Sequence, residues 1–276
     1  DAWIASRDFI DRCDWSSLQA HCGLCRRTTP FNLLSNPSAT EVREGLVCSR
    51  CGCNSRVRAA LRLMLDDLPS TVAMPADKRF RFWRRRPPLQ GPEVYMTEQV
   101  TPTFVWLQKH LEGVLHGSEF EPDSMRRALL TLRLAQMGGH GSVQFQDITR
   151  MDFDDARLDA VVSFDVLEHV PDYASAIHEF ARVLKPGGAC IATFPFNDQP
   201  GTVVRARHLP DGSIEHIEPA EYHGDPISGG ILCYYHFGWD ILQHFRAAGF
   251  AQASMVMPYS LEQGLPYGMW TLLARR

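Results

Sequence analysis

The chain is 276 residues long, more than one typical domain and fewer than two large ones, with 45% hydrophobic and 22% charged residues. That composition belongs to a globular protein able to bury a core. A formal net charge of -4 and a pI near 6.3 give no global electrostatic case for nucleic acid or an anionic membrane, and no apolar run reaches the ~18–20 residues that a transmembrane helix requires. The N-terminal stretch DAWIASRDFIDRCDW carries acids inside its apolar pattern, which argues against a signal peptide. A short amphipathic helix is expected within residues 1–20, a cysteine-rich segment over 21–56 and a helix over 57–68 (VRAALRLMLDDL). Residues 69–92 hold five prolines and the basic, aromatic run KRFRFWRRR at 78–86, and read as a linker.

From Glu93 onward the chain alternates between strand-like and helix-like segments. EVYMTE (93–98) is a strand, PTFVWLQKHL (102–111) a helix, GVLHGSEF (113–120) a strand and SMRRALLTLRLAQ (124–136) a helix. VQFQDI (143–148) and LDAVVSFDVL (158–167) follow as strands, YASAIHEFARVL (173–184) as a helix and GGACIATFPF (187–196) as a strand. Lys185-Pro-Gly-Gly reads as a turn. GWDILQHFRAAGF (238–250) is a helix, and QASMVMPYS (252–260) and MWTLLARR (269–276) close as strands. Such alternation predicts an α/β fold with a mostly parallel sheet covered by helices on both faces. Ligands in such folds sit at the carboxyl ends of the strands. Asp147 and Asp165 fall at two such ends.

Five of the eight cysteines lie between Cys22 and Cys53. Cys22-Gly-Leu-Cys25 and Cys48-Ser-Arg-Cys51 form two CxxC knuckles separated by 22 residues. Each knuckle lets two thiolates converge on one ion, and the pair completes a tetrahedral sulfur shell for zinc. The metal set is Cys22, Cys25, Cys48 and Cys51, with Cys53 and His21 as spare donors. The ion would staple a zinc-ribbon-like module of ~40 residues, too few to hold a core alone. Cys190 and Cys233 lie singly in apolar stretches, which fits buried thiols in a reducing compartment, the cytoplasm.

Residues 145–196 resemble the second half of class I S-adenosylmethionine-dependent methyltransferases. The resemblance is carried by Asp147-Ile148, Phe153, Leu158-Asp159 and the run from Arg182 to Gly188 (RVLKPGG). It implies a Rossmann-like, seven-stranded, mostly parallel sheet over residues 93–276, following the module (1–68) and linker (69–92). It also implies S-adenosylmethionine as cofactor, with adenine near the Asp147 loop and Asp165 pairing with the ammonium of the methionine end. The family's first loop reads acid-x-Gly-x-Gly-x-Gly, whereas here the loop is Glu98-Gln99-Val100-Thr101, without glycine. Gln99, Val100 and Thr101 would then supply backbone N–H groups. Glu119, at the end of the second strand, takes the place of the acid that binds ribose hydroxyls, and Phe120 could pack on adenine. The implied cofactor set is Glu98, Gln99, Thr101, Glu119, Phe120, Asp147, Ile148, Phe164 and Asp165.

Residues 197–237 form an insertion of a length that is usually functional, and it reads as a lid over the substrate. It carries His216, Glu221, Tyr222, His223, Asp225 and His236. A hydroxyl acceptor would need a base, for which His169, Tyr222 and His223 are the candidates. These features predict methyl transfer to a small-molecule, natural-product or glycan acceptor, with no membrane insertion. Two other readings stand beside it. Zinc-ribbon methyltransferases of ribosomal RNA begin with a similar four-cysteine module, and the 78–86 run suits single-stranded nucleic acid. A methyltransferase fold without its glycine loop could also serve as a binding module.

Overall fold

The computed structural model describes residues 1–34, 39–67, 91–224 and 230–276. The basic run 78–86, nearly all of the expected linker and Asp225 lie outside the described residues. The chain forms two compact units, Asp1–Phe145 with Val256–Thr271, and Gln146–Met255 with Leu272–Arg276.

The first unit opens with α1 (Ala2–Arg12), where Asp1 accepts a hydrogen bond from Trp3 N at 3.0 Å. This helix stops well short of residue 20. Asp14 draws the backbone into a turn, accepting from Ser16 N at 3.1 Å and from the Ser16 and Ser17 hydroxyls at 2.6 Å, a local bonding pattern that competes with helix. A three-stranded antiparallel sheet follows, made of β1 (Gln19–Cys22), β2 (Arg27–Leu33) and β3 (Leu46–Cys48), with α2 (Ala39–Gly45) between β2 and β3. Then comes α3 (Ser55–Asp67), capped by Asn54, whose Oδ1 accepts from Val57 N at 2.9 Å. Its buried face carries Ala59, Ala60, Leu61 and Met64, and Ala59 packs with Leu265 and Met269.

The first unit also holds β4 (Glu93–Met96), α4 (Pro102–His110), β5 (Val114–Gly117) and α5 (Ser124–Gln136). β4 and β5 run parallel, with Glu93 opposite Val114. Thr101 caps α4, accepting from Phe104 N at 3.2 Å, and Pro102 takes the first turn, where its missing N–H costs nothing. Gly117 lets Phe104 lie against β5. A Cβ there would meet the Phe104 ring at 2.3 Å and Gln99 Cγ at 3.0 Å. Gly117→Ala is therefore expected to cost about 1–3 kcal/mol through overpacking. A thermal melt should show a midpoint lowered by several degrees, and an unchanged midpoint would refute this packing argument.

The second unit contains β6 (Leu158–Phe164), α6 (Tyr173–Val183) and β7 (Leu184–Thr193). Six short strands follow: β8 (Val203–Val204), β9 (Ala206–His208), β10 (Ile214–His216), β11 (Tyr222–His223), β12 (Ile231–Leu232) and β13 (Tyr235–His236). The unit continues with α7 (Ile241–Ala247) and β14 (Gln252–Val256), and the chain ends in β15 (Thr271–Arg275). β6 is buried along nearly its whole length and pairs in parallel with β7, while β15 pairs antiparallel with β7. The strand order here is β14-β15-β7-β6. The fold is α/β, and the β6–β7 pair of this unit is parallel as the β4–β5 pair of the first unit is.

The seventh expected strand, residues 143–148, is reduced to a single bridge between Glu119 and Phe145. The Gln99 side chain does the work of a strand neighbour there: its Nε2 donates to Ser142 O at 3.0 Å, and its Oε1 accepts from Gln144 N at 3.0 Å. With those backbone groups satisfied by a side chain, no further ladder is needed. Lys185-Pro-Gly-Gly also differs from the sequence expectation, because it is a bulge inside β7. Two steps on β6, from Leu158 to Ala160, face five on β7, from Leu184 to Ala189, and Gly187 adopts φ 79°.

Candidate functional site

The four cysteines of the CxxC knuckles converge. Cys22 Sγ lies 3.8 Å from Cys51 Sγ, and Cys25 Sγ lies 3.9 Å from Cys48 Sγ. Four sulfurs at ~2.3 Å from a tetrahedral centre are ~3.8 Å apart, so the set fits a zinc ion. All eight cysteines are free of disulfides. Cys48 is held well below the ordinary thiol range, chiefly by Cys22, and Cys22 is pushed well above it, chiefly by Cys48. Thr29 Oγ1 lies 3.2 Å from Cys48 Sγ. Neither spare donor joins the cluster. Cys53 Sγ contacts Cys51 O at 3.7 Å, and His21 precedes Cys22 on β1, so its exposed ring points to the opposite face.

The glycine-free loop is braced from within the first unit. Val100 N donates to Glu119 Oε1 at 2.6 Å, and Gln99 N donates to Ser118 O at 3.1 Å. These N–H groups thus bond within the fold. Glu98 Oε2 accepts from the Thr97 hydroxyl at 3.1 Å, and the Thr101 hydroxyl bonds Glu98 O at 3.3 Å. Glu119 is therefore a brace across the loop as well as a strand-end acid. Phe120 is 71% exposed and Phe145 41% exposed, with ring centroids 5.7 Å apart. Such a pair of exposed rings suits a planar heterocycle.

In the second unit, Asp147 closes a turn, accepting from Thr149 N at 2.9 Å and Thr149 Oγ1 at 2.7 Å, while Ile148 and Phe164 are buried. Asp165 takes φ 55°, a left-handed conformation, directly after β6. Its N–H donates to Thr193 O at 2.8 Å, and its Oδ1 accepts from Thr193 Oγ1 at 2.9 Å. A non-glycine residue held in that region marks local strain of the kind that clusters at functional sites.

The 3-10 turn Leu167–His169 follows, and residues between Glu221 and Tyr235 bond to it or beside it. Tyr234 N donates to Glu168 O at 2.7 Å, Cys233 N donates to Glu221 O at 2.8 Å, and Tyr235 OH donates to Pro171 O at 2.6 Å. His169 Nδ1 donates to Leu232 O at 2.9 Å. His223 joins it, with ring centroids 4.9 Å apart. Glu221 ties the lid groups together, taking His223 Nε2 at 3.0 Å, His236 Nε2 at 3.2 Å and Arg205 Nη2 at 3.1 Å. Tyr222 precedes His223 on β11 and is 59% exposed on the other face, and His216 on β10 is exposed too.

Sequence reading passed over Glu168, the residue at the centre of this group. It is 0% exposed, and neither carboxylate oxygen has a hydrogen-bond partner of ordinary geometry among the described residues. Burial pushes its carboxyl up to about 7, and burial also lowers His169. His223 is raised to about 11, first by Cys233 and then by Glu168. Burial raises the Cys233 thiol, but His223 and His236 outweigh this and bring it down to about 7. The signal that could have found Glu168 was an acid amid Val166, Leu167 and Val170, where every neighbouring aliphatic side chain suits burial.

Residues 103–192 match the family model described as a methyltransferase domain. That stretch, a third of the chain, is thus similar to a methyltransferase domain. The ubiquinone biosynthesis O-methyltransferase of Alkalilimnicola ehrlichii is 43% identical over 72 residues, which are 25% of this chain and 29% of that protein; this chain spans less than a third of the curated relative's length. Among solved structures, an S-adenosylmethionine-dependent methyltransferase from Mesorhizobium loti is 16% identical with a TM-score of 0.42, covering 69% of this chain and 94% of that one. The CurJ carbon methyltransferase is 14% identical with a TM-score of 0.43, covering 69% and 50%.

Proposed function

We propose that this chain transfers the methyl group of S-adenosylmethionine to a small-molecule, natural-product or glycan acceptor, in the cytoplasm, with zinc in the four-cysteine module as a structural ion. The observation that carries the reading is the domain match over residues 103–192, which includes Glu119, Asp147 and Asp165. The cofactor, when bound, supplies a methyl group activated on sulfonium. Asp165 would take the ammonium of its methionine end, Glu119 the ribose hydroxyls, and Asp147, Ile148 and Phe120 the adenine. The pre-set turn at Asp165, fixed by Thr193, supports its share of this assignment.

The acceptor side rests on the lid. Its hairpins bond directly to the Leu167–His169 turn, making a roof lined with histidines and acids that suits a compact acceptor. Activation of a hydroxyl acceptor falls to the group around Glu168, with His169 and His223 converging there and Tyr222 facing away. The test is calorimetry of the full chain with S-adenosylhomocysteine. A Kd in the micromolar range is expected. Absence of heat would leave a methyltransferase fold used only as a binding module.

A further inference from the structure

We infer that Glu168, His169 and His223 form a second metal site, for a divalent ion of the zinc type, distinct from the four-cysteine cluster. The inference deepens the proposed acceptor site, and it relies on that reading for the role of the ion but not for its presence. One carboxylate oxygen and two ring nitrogens here lie within 4.8 Å of one another. Glu168 Oε1 is 3.4 Å from His223 Nδ1 and 3.7 Å from His169 Nε2. Both nitrogens approach the same oxygen, and both distances exceed an ordinary N–H···O bond. They lie close to the spacing of donor atoms sharing an ion, since metal bonds of ~2.0–2.2 Å in tetrahedral array separate N and O ligands by ~3.3–3.6 Å; the His223 distance falls inside that range and the His169 distance just beyond it.

The outer bonds decide which atoms face inward. Leu232 O can only accept, so His169 Nδ1 carries its proton, and in the neutral ring Nε2 is a bare lone pair directed at the carboxylate. His223 Nε2 meets the Glu221 carboxylate at 3.0 Å, which leaves Nδ1 toward Glu168. A backbone carbonyl behind one histidine and a carboxylate behind the other is the arrangement that orients metal-ligating imidazoles. Glu168, wholly buried with neither oxygen hydrogen-bonded in ordinary geometry among the described residues, is a costly group unless a cation compensates it. Glu221, Cys233 and His236 also cluster, but Glu221 is already engaged by Arg205, His223 and His236, so they are assigned to the supporting layer. With three protein ligands, the ion keeps a position open for water or for an acceptor oxygen, as catalytic rather than structural sites do.

The experiment is metal analysis of the full chain after dialysis against excess Zn2+ and removal of the unbound ion, with wild type, Glu168→Gln and His223→Ala compared. Two ions per chain are expected in the wild type and one in each variant, with circular dichroism unchanged. Glu221→Gln, which removes the carboxylate behind His223 but none of the three ligands, should weaken the second site by about 10–100-fold in a zinc titration. Cobalt loading gives an independent readout, because the four-sulfur site carries strong thiolate charge-transfer bands and the second site does not. A single ion in the wild type, unchanged by Glu168→Gln, would overturn the inference in favour of His223 as an imidazolium between Glu168 and Glu221. S-adenosylhomocysteine calorimetry on the same samples keeps the two readings apart. Two ions without cofactor binding would sink the methyltransferase proposal and leave the metal site standing.

Discussion

Cys48→Ser is expected to remove the ion from the four-sulfur cluster and to unfold the segment around it. Cys48 is fully buried, ends β3, lies 3.9 Å from Cys25 and touches Thr29, so a serine there leaves an incomplete shell with a hydroxyl in place of a thiolate. Structural zinc contributes about 10–16 kcal/mol in small modules, comparable with the whole stability of an ordinary domain of ~5–15 kcal/mol. The loss should spread through α3, whose Arg58 lies over the Phe31 ring at 4.4 Å and donates to Gly264 O at 3.0 Å. Emission spectroscopy should find one zinc fewer per chain, and hydrogen exchange should find the amides of β1, β2 and β3 unprotected. Cys53→Ala serves as the contrast, since Cys53 stands outside the cluster and its removal should keep the ion. Equal zinc content in wild type and Cys48→Ser would end the four-thiolate assignment.

Asp165→Asn should weaken S-adenosylhomocysteine binding by about 10–100-fold, the loss anticipated when a charge-assisted hydrogen bond becomes a neutral one. The substitution keeps the shape of the side chain, and asparagine tolerates the left-handed conformation that position 165 adopts at φ 55°. The bond from Asp165 N to Thr193 O involves only the backbone and survives the change. A drop in affinity without a drop in melting temperature would therefore report the lost charge rather than lost folding. Equal affinities, measured by calorimetry on both proteins, would remove Asp165 from the cofactor site.

What the sequence discloses depends on how local the cause is. β6 and α6 are legible because burial on both faces makes a largely apolar run, interrupted only by Asp159 and Ser163, and because Asp172 caps the helix, accepting from Ser175 N at 3.1 Å. The arginine of RVLKPGG is legible as a motif, and the structure supplies its reason. Arg182 reaches Met151 O at 2.9 Å and Phe153 O at 2.7 Å while pairing with Glu179, so it fixes the loop that leads into β6. The cysteine knuckles are legible because ligand spacing is itself local chemistry.

Other features escaped because their partners are distant. Residues 143–148 have the alternation of a strand, but Gln99, more than forty positions earlier, takes the bonds that a neighbouring strand would have made. Glu119 reads as an acid awaiting ribose, yet its brace to Val100 N is visible only once the loop is folded. Glu168 looks like an ordinary turn acid until His223, Leu232 and Tyr234 are brought against its turn.

The bonds between lid and turn have a kinetic meaning. Since Tyr234 N is bound to Glu168 O and Leu232 O to His169, this part of the insertion cannot swing aside as a hinged cover without dismantling the histidine pair. Turnover would then proceed beneath a fixed ceiling, with acceptor and product entering and leaving along its rim, and the amide of Tyr234 should exchange with solvent as slowly as those inside β6.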